Sequence, residues 1–489
     1  MQTPSSLENP VEPGEAPPQV IFAPPMPLWW RFAILGTIIL IGLIAYATRD
    51  TIGLRGQALA GIVFFFGIVA AFSSNLRVVN WRTIGWGLAI QVILALAILK
   101  VPIVHTAFER AGDVVNAFIG YSFEGAKFVF GNMADPRPAE KGGTWAPLFS
   151  PANGPSNWWF QFAFVALPPI LFVSAFFTVL YHFGILQWIV RGFARIMLHL
   201  MGTSGAETLS VAANVFMGQT EAPLIIRPYV PRMTNSELFV LMASGMAHIS
   251  GALMAVYISY GADPVAVIST CVMACPCSLY LAKLFLPEVS RPETSGTVNK
   301  ADMKSPYVNA IDAAATGTSD GLSLALNVAA MLIVFIAFVA MFNGLLGLID
   351  TTRLTTWTGY TFPEHITLQW LFGKLFSPVA FLMGIALEDI EKVGTLLGTK
   401  LAINEHVAFL TMQDMLKVPG TMTDRSYKLA AFALTGFANF SSVGIQLGGI
   451  GALAPNRRHD LARLGLRALF VGFTASLLNA ALAGLMLEG

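Results

Sequence analysis

The chain has 489 residues, of which 55% are hydrophobic and 12% charged. Soluble domains carry roughly a quarter of their residues as Asp, Glu, Lys and Arg, so half that fraction over this length reads as a polytopic membrane protein. The formal net charge of +1 leaves no basic excess for nucleic acid, and the three cysteines, an odd count crowded into one apolar segment, argue against a disulfide framework.

Residues 1–28, with Glu8, Glu12, Glu15, Pro17 and Pro18, cannot bury apolar area and read as a disordered N-terminal tail. They lack the basic start of a cleavable signal peptide. The first span, opening at Trp29-Trp30-Arg31, is therefore expected to be retained, with aromatics and an arginine as interfacial anchors. A bilayer crossing needs about 20 apolar residues. That length places spans near 29–47, 57–73 and 82–100, separated by short turns holding Arg49, Arg55, Arg77 and Arg82. In 103–131, Val104, Phe108, Ala111, Val115, Phe118 and Ile119 recur at helical spacing opposite Glu109, Arg110, Asp113 and Asn116. Such a two-faced pattern suits a helix lying on the interface. Residues 131–157 are rich in Gly, Pro and Asn and read as a surface loop.

A further span is expected from about Trp158 to Leu186, with Pro168-Pro169 as a kink. From 204 to 229 two short helical stretches meet at Gly218, each too short to cross alone, which is the pattern of a re-entrant hairpin. Spans near 237–260 and 264–286 complete a first half at 158–286, and a polar loop fills 287–316. The second half opens with a span at 321–349. A second hairpin is expected at 366–387, broken at Ser377-Pro378, followed by apolar stretches at 393–415, 428–446 and 462–487. The expected fold is thus an all-α polytopic membrane protein with about nine transmembrane helices, two re-entrant hairpins and interfacial amphipathic helices. Interrupted segments in both halves suggest an internal repeat, the usual build of secondary transporters.

The candidate site begins at Gly218-Gln219-Thr220-Glu221-Ala222-Pro223, an amide, a hydroxyl and a carboxylate in succession within apolar sequence. Consecutive helical residues point in different directions, so one shared site requires irregular backbone. At membrane depth irregular backbone survives only where protein or a water-filled cavity surrounds it. An ionisable residue there marks a substrate or ion pathway. Asn404-Glu405-His406 and Asn439-Phe440-Ser441-Ser442 repeat the pattern in the second half.

These motifs resemble the concentrative nucleoside transporter family. The resemblance rests on Gly218–Pro223 with Arg227-Pro228, Asn404-Glu405, and Gly436-Phe437-Ala438-Asn439-Phe440-Ser441-Ser442. Ala452-Leu453-Ala454-Pro455 and Arg457-Arg458, after Gly448-Gly449-Ile450-Gly451, add to it; the match runs in order from about residue 57 to the C-terminus. It implies a cation/nucleoside symporter of the cell membrane, a homotrimer and not an enzyme. An inverted-repeat transport domain (158–286 and 366–487) would move on a scaffold (29–131 and 321–349). It also implies that Gln219, Thr220 and Glu221 face the base, that Leu253 lines the base pocket, and that Glu405, Asn439 and Ser442 face the ribose, with Phe437 offering an aromatic face. For sodium it implies the Asn214 side chain, the Met217 and Ile249 carbonyls, and residue 248. His248 departs from the serine or threonine of the family pattern there. Hard cations want oxygen ligands, whereas imidazole takes a proton near neutrality, so proton coupling stands as the alternative.

Other readings of the same residues are a hairpin tip that merely caps itself, a structural Glu405–Lys400 ion pair, and core packing for Phe437. Cys275-Pro276-Cys277 resembles the soft-metal motif of copper-pumping ATPases, but the chain has no Asp-Lys-Thr-Gly phosphorylation motif. With Cys271 it reads instead as small residues packed around a proline kink. An intramembrane hydrolase using Glu221, Glu405 and His406 lacks paired metal ligands or an activated nucleophile at a convincing spacing. A channel calls for a continuous polar-lined pore rather than two capped hairpins.

Overall fold

The computed structural model of the protein describes residues 24–131, 164, 167–295, 307–418 and 420–488. The expected tail lies outside the described residues up to residue 23, as do the 131–157 loop from residue 132 onward and residues 296–306 of the polar loop. Among the described residues the secondary structure is helical, with one isolated bridge between Ser204 and Ser295.

In chain order the helices are α1 (Leu28–Ala47), α2 (Arg49–Ala71), α3 (Trp81–Lys100), α4 (Pro102–Phe130), α5 (Leu167–His182), α6 (Ile185–Met201) and α7 (Gly205–Ala213). Next come α8 (Ala222–Ile225), α9 (Asn235–Ala247), α10 (Gly251–Ser259), α11 (Pro264–Phe285) and α12 (Ala310–Leu346). The chain ends with α13 (Thr351–Thr358), α14 (Leu368–Leu382), α15 (Ile390–Ala402), α16 (Glu405–Leu416), α17 (Asp424–Leu434), α18 (Phe440–Leu453) and α19 (Arg458–Met486). Among the described residues six helices are long and apolar enough to cross a membrane, or eight if two bent pairs each count as one span. The chain is thus a multi-pass membrane protein.

Burial sorts these helices into layers. Only Ile38 and Ala45 of α1 are buried, whereas every residue from Ser236 to Ile258 is. Helices α9, α10, α11 and α19 form the interior, and α1 to α3 lie outside it with apolar side chains exposed. Helix α6 turns 74° from α5. The start of the span expected from Trp158, which holds Pro168-Pro169 near its middle, lies mostly outside the described residues; α5 is described from Leu167. Helix α12 is 37 residues long and begins eleven residues before the expected 321.

The second hairpin differs from expectation. Helix α14 runs through Pro378 to Leu382. Ser377 Oγ donates back to Gly373 O, one turn earlier, at 2.5 Å. The chain then turns at 383–389, and α14 packs along α15. The apolar stretch at 393–415 is broken at Ile403-Asn404. The interruption that matters is therefore at the Asn-Glu motif, not at the proline.

Capping residues explain where the broken helices restart. Asn404 Oδ1 accepts from Val407 N–H, Asn439 Oδ1 from Ser442 N–H, and Ser250 Oγ from Leu253 N–H. Each satisfies one of the orphan donors at a helix start. Ser204 with Glu207 and Thr234 with Glu237 form capping boxes at α7 and α9. A buried ion network joins those two ends to α11. Lys283 Nζ lies 2.8 Å from Glu207 and 3.2 Å from Glu288, and donates to Ser236 Oγ at 3.0 Å. Ser204 Oγ donates to Glu237 at 2.5 Å. Cys271, Cys275 and Cys277 are free and buried inside α11, which continues through Pro276.

Candidate functional site

Four helix interruptions meet in the interior: 214–221 between α7 and α8, 248–250 between α9 and α10, 403–404 between α15 and α16, and 435–439 between α17 and α18. Backbone hydrogen bonds tie them together. Gly251 N donates to Phe216 O at 2.9 Å, and Phe437 N donates to His248 O at 3.0 Å. The last contact needs the glycine before it. Gly436 has φ +138°, and a Cβ there would stand 2.9 Å from Ser476 Oγ and 3.0 Å from Ala247 O.

Side chains close the ring across the two halves. Gln219 Nε2 donates to Ser442 Oγ at 3.2 Å, and Asn439 Nδ2 donates to Glu405 Oε2 at 2.8 Å. Tyr257 OH donates to Glu405 Oε1 at 2.9 Å. Glu405 is the first residue of α16, where the helix dipole favours negative charge. A buried carboxylate is costly unless hydrogen-bonded; here each oxygen has a donor and further lone pairs. Lys400 makes no direct contact with it. Its ammonium donates to Ala433 O at 2.7 Å and Ser476 Oγ at 3.2 Å, and no ion pair joins it to Glu405 among the described residues.

All eight residues expected to touch substrate, Gln219, Thr220, Glu221, Leu253, Glu405, Phe437, Asn439 and Ser442, line one cavity of about 120 Å³. A second cavity of about 330 Å³ shares Glu221, Ser250 and Leu324 with it. The first alone is below the roughly 300–1,000 Å³ of small-molecule sites; the shared wall makes the two adjacent compartments. Glu221 also turns back on its own loop, Oε2 accepting from Gly218 N–H at 2.5 Å.

Sequence reasoning missed several members of the site. Tyr257 lies one turn after Leu253 on α10, and Gln446 one turn after Ser442 on α18. Helical spacing from the named residues could have found both. Gln446 Nε2 donates to Gln219 Oε1 at 3.1 Å and to Met242 O at 3.0 Å. Asn327, from the long helix α12, reaches the same cavity with no motif to announce it.

The expected cation ligands divide. Asn214 is buried; its Nδ2 donates to Ser244 Oγ at 3.0 Å, while Oδ1 has no hydrogen-bond partner among the described residues. An orphaned buried oxygen suits a hard cation. His248 does not fit. Its Nδ1 lies 2.8 Å from Ser244 O, its Nε2 3.4 Å from Cys275 Sγ, and its carbonyl already accepts from Phe437 N–H. The ring is held between α9 and α11 and supplies no oxygen. No group of three or more His, Cys, Asp or Glu able to hold a metal ion occurs among the described residues.

Three family models cover most of the chain. Residues 60–133 match the N-terminal part of the Na+ dependent nucleoside transporters, 163–264 a nucleoside recognition "Gate" domain, and 266–484 the C-terminal part of those transporters. An uncharacterized transporter of Haemophilus influenzae is 39% identical over 435 residues, covering 88% of this chain and 97% of its own. Human sodium/nucleoside cotransporter 1 is 37% identical over 481 residues, 95% of this chain and 69% of its own. Among solved structures, CNTnw in an inward-facing substrate-bound state superposes with a TM-score of 0.78 at 34% identity, covering 88% of this chain and 98% of that one.

Proposed function

The chain belongs to the Na+-dependent nucleoside transporter family, a family of transporters rather than enzymes, and from that membership we propose that it imports nucleosides by cation symport with sodium as the favoured cation. One observation carries the substrate reading. A carboxylate with two fixed donors, Glu405, shares a cavity with an amide and a hydroxyl from the opposite half, Gln219 and Thr220, and with the Ser442 hydroxyl of its own half. Vicinal ribose hydroxyls are donors that a carboxylate accepts with charge assistance. A base presents both donors and acceptors to the amide and hydroxyls. Phe437, Leu253 and Tyr257 supply the apolar walls.

For the cation, Asn214 Oδ1 and the Met217 and Ile249 carbonyls are the assigned ligands, without the His248 ring. A bound cation there would add positive charge beside the 214–221 interruption, and its downhill entry would do the work of uptake. Proton coupling is the second reading, favoured by the lack of an oxygen ligand at position 248. We assign 29–131 and 321–349 to a scaffold that forms a homotrimer. The two halves at 158–286 and 366–487 are assigned to a moving transport unit. The exposed Ile333 and Ile336 of α12 suit a face turned to lipid or to another subunit.

Uptake of labelled uridine and adenosine into proteoliposomes tests the proposal. Saturable uptake driven by an inward sodium gradient is expected. A proton gradient acting alone would transfer the coupling to protons, and uptake indifferent to both gradients would reject symport.

A further inference from the structure

We propose that Gln446 is a positioning residue that decides which edge of a nucleobase the site prefers, by fixing the orientation of the Gln219 amide; this rests on the nucleoside reading above. Gln446 is fully buried on α18. Its amide nitrogen lies between two oxygens, Met242 O at 3.0 Å and Gln219 Oε1 at 3.1 Å. A backbone carbonyl can only accept. The end of Gln446 facing Met242 must therefore be its NH2 group, since the flipped amide would set oxygen against oxygen.

The second hydrogen of that NH2 group then falls on Gln219 and determines it in turn. Gln219 must offer its oxygen to Gln446, which sends its own NH2 group toward Ser442 Oγ at 3.2 Å and the cavity wall. One hydrogen serves Ser442; the other is left for a ligand. Ser442, accepting from Gln219, keeps its hydroxyl hydrogen to donate. The Gln219 amide thus presents a donor and favours a base edge carrying a carbonyl oxygen over one carrying an amino group.

Two further observations separate this role from packing. Gln446 Oε1 is buried without a hydrogen-bond partner among the described residues, a desolvation cost that a methionine or leucine in the same space does not carry. The room for the pair depends on Gly245, where a Cβ would meet Gln446 Nε2 at 2.6 Å and Gln219 Cβ at 3.0 Å. The interior accommodates the amide pair at the expense of simpler packing.

The test compares Gln446→Met with the parent in proteoliposomes, using KM ratios for uridine over cytidine and for inosine over adenosine. The parent is expected to prefer the keto member of each pair. The variant should narrow each ratio several-fold, because a freed Gln219 amide can turn, while the penalty for a substrate lacking the 3′-hydroxyl stays at its parental value. In a Gln219→Leu background Gln446→Met should change the ratios no further. Parental ratios in Q446M, or an equal additional change in the Q219L background, would overturn the proposal. If Q446M does not fold, Gln446→Asn, which keeps the amide but withdraws it from Gln219, is read by the same ratios. Parent protein that carries no nucleoside would defeat the nucleoside reading itself, whereas uptake with ratios indifferent to position 446 defeats only the role of Gln446.

Discussion

Replacing Glu405 by Gln removes the charge from the ribose side of the site and leaves its shape almost unchanged. Asn439 cannot rotate to compensate, because its Oδ1 accepts from Ser442 N–H at 2.9 Å and Ser441 Oγ at 2.6 Å. The new amide must therefore give its oxygen to Asn439 Nδ2 and its NH2 group to Tyr257, whose hydroxyl can turn to accept. The fold should survive, and the loss should appear in recognition. A hydrogen bond to a charged group contributes about 1.5–3 kcal/mol and a neutral one about 0.5–1.5. Two ribose hydroxyls moving from the first kind to the second lose roughly 2 kcal/mol, or ~30-fold in affinity. The assay is initial-rate uptake of uridine and 3′-deoxyuridine by parent and variant in proteoliposomes. The parent should penalise the deoxy substrate strongly and E405Q only weakly. A variant with parental KM for uridine, or with the parental deoxy penalty, would refute the assignment of Glu405 to the ribose.

Three other outcomes are expected. Tyr257→Phe removes one of the two donors on Glu405, so KM for uridine should rise, but by less than in E405Q; an unchanged KM would detach Tyr257 from the site. His248→Ser places a hydroxyl oxygen near Asn214 Oδ1, and the sodium concentration for half-maximal uptake should fall; superimposable sodium curves would remove position 248 from coupling. Lys283→Met strands the buried Glu207 carboxylate 2.8 Å away, a loss of about 3–5 kcal/mol for a broken buried pair. Thermal unfolding in detergent should move well down, and Lys283→Met with Glu207→Gln should recover part of it; a parental midpoint in the single variant would show the pair to be idle.

Much of the fold and the site could be read from local pattern. Apolar length marked the spans, and the polar triplet at 219–221 could not sit in lipid, so it marked an interior break. The second hairpin was misplaced for a local reason too. Pro378 is a strong breaker on paper, yet the helix runs through it, whereas Asn404 looks innocuous and caps a new helix. Propensity at a proline gave way to the packing of α14 along α15.

The amino-acid sequence by itself determined which polar groups lie at membrane depth and where capping residues restart the helices, because both depend on neighbours a few residues apart. Only the tertiary structure decided who meets whom. Gln219 reaches Ser442 and Gln446 across more than two hundred residues, Tyr257 holds Glu405, Lys400 donates to Ala433 O, and His248 is drawn toward Ser244 and Cys275. Those pairings follow from how four broken helices pack around one cavity, and side-chain hydrogen bonding at such a junction carries no local signature.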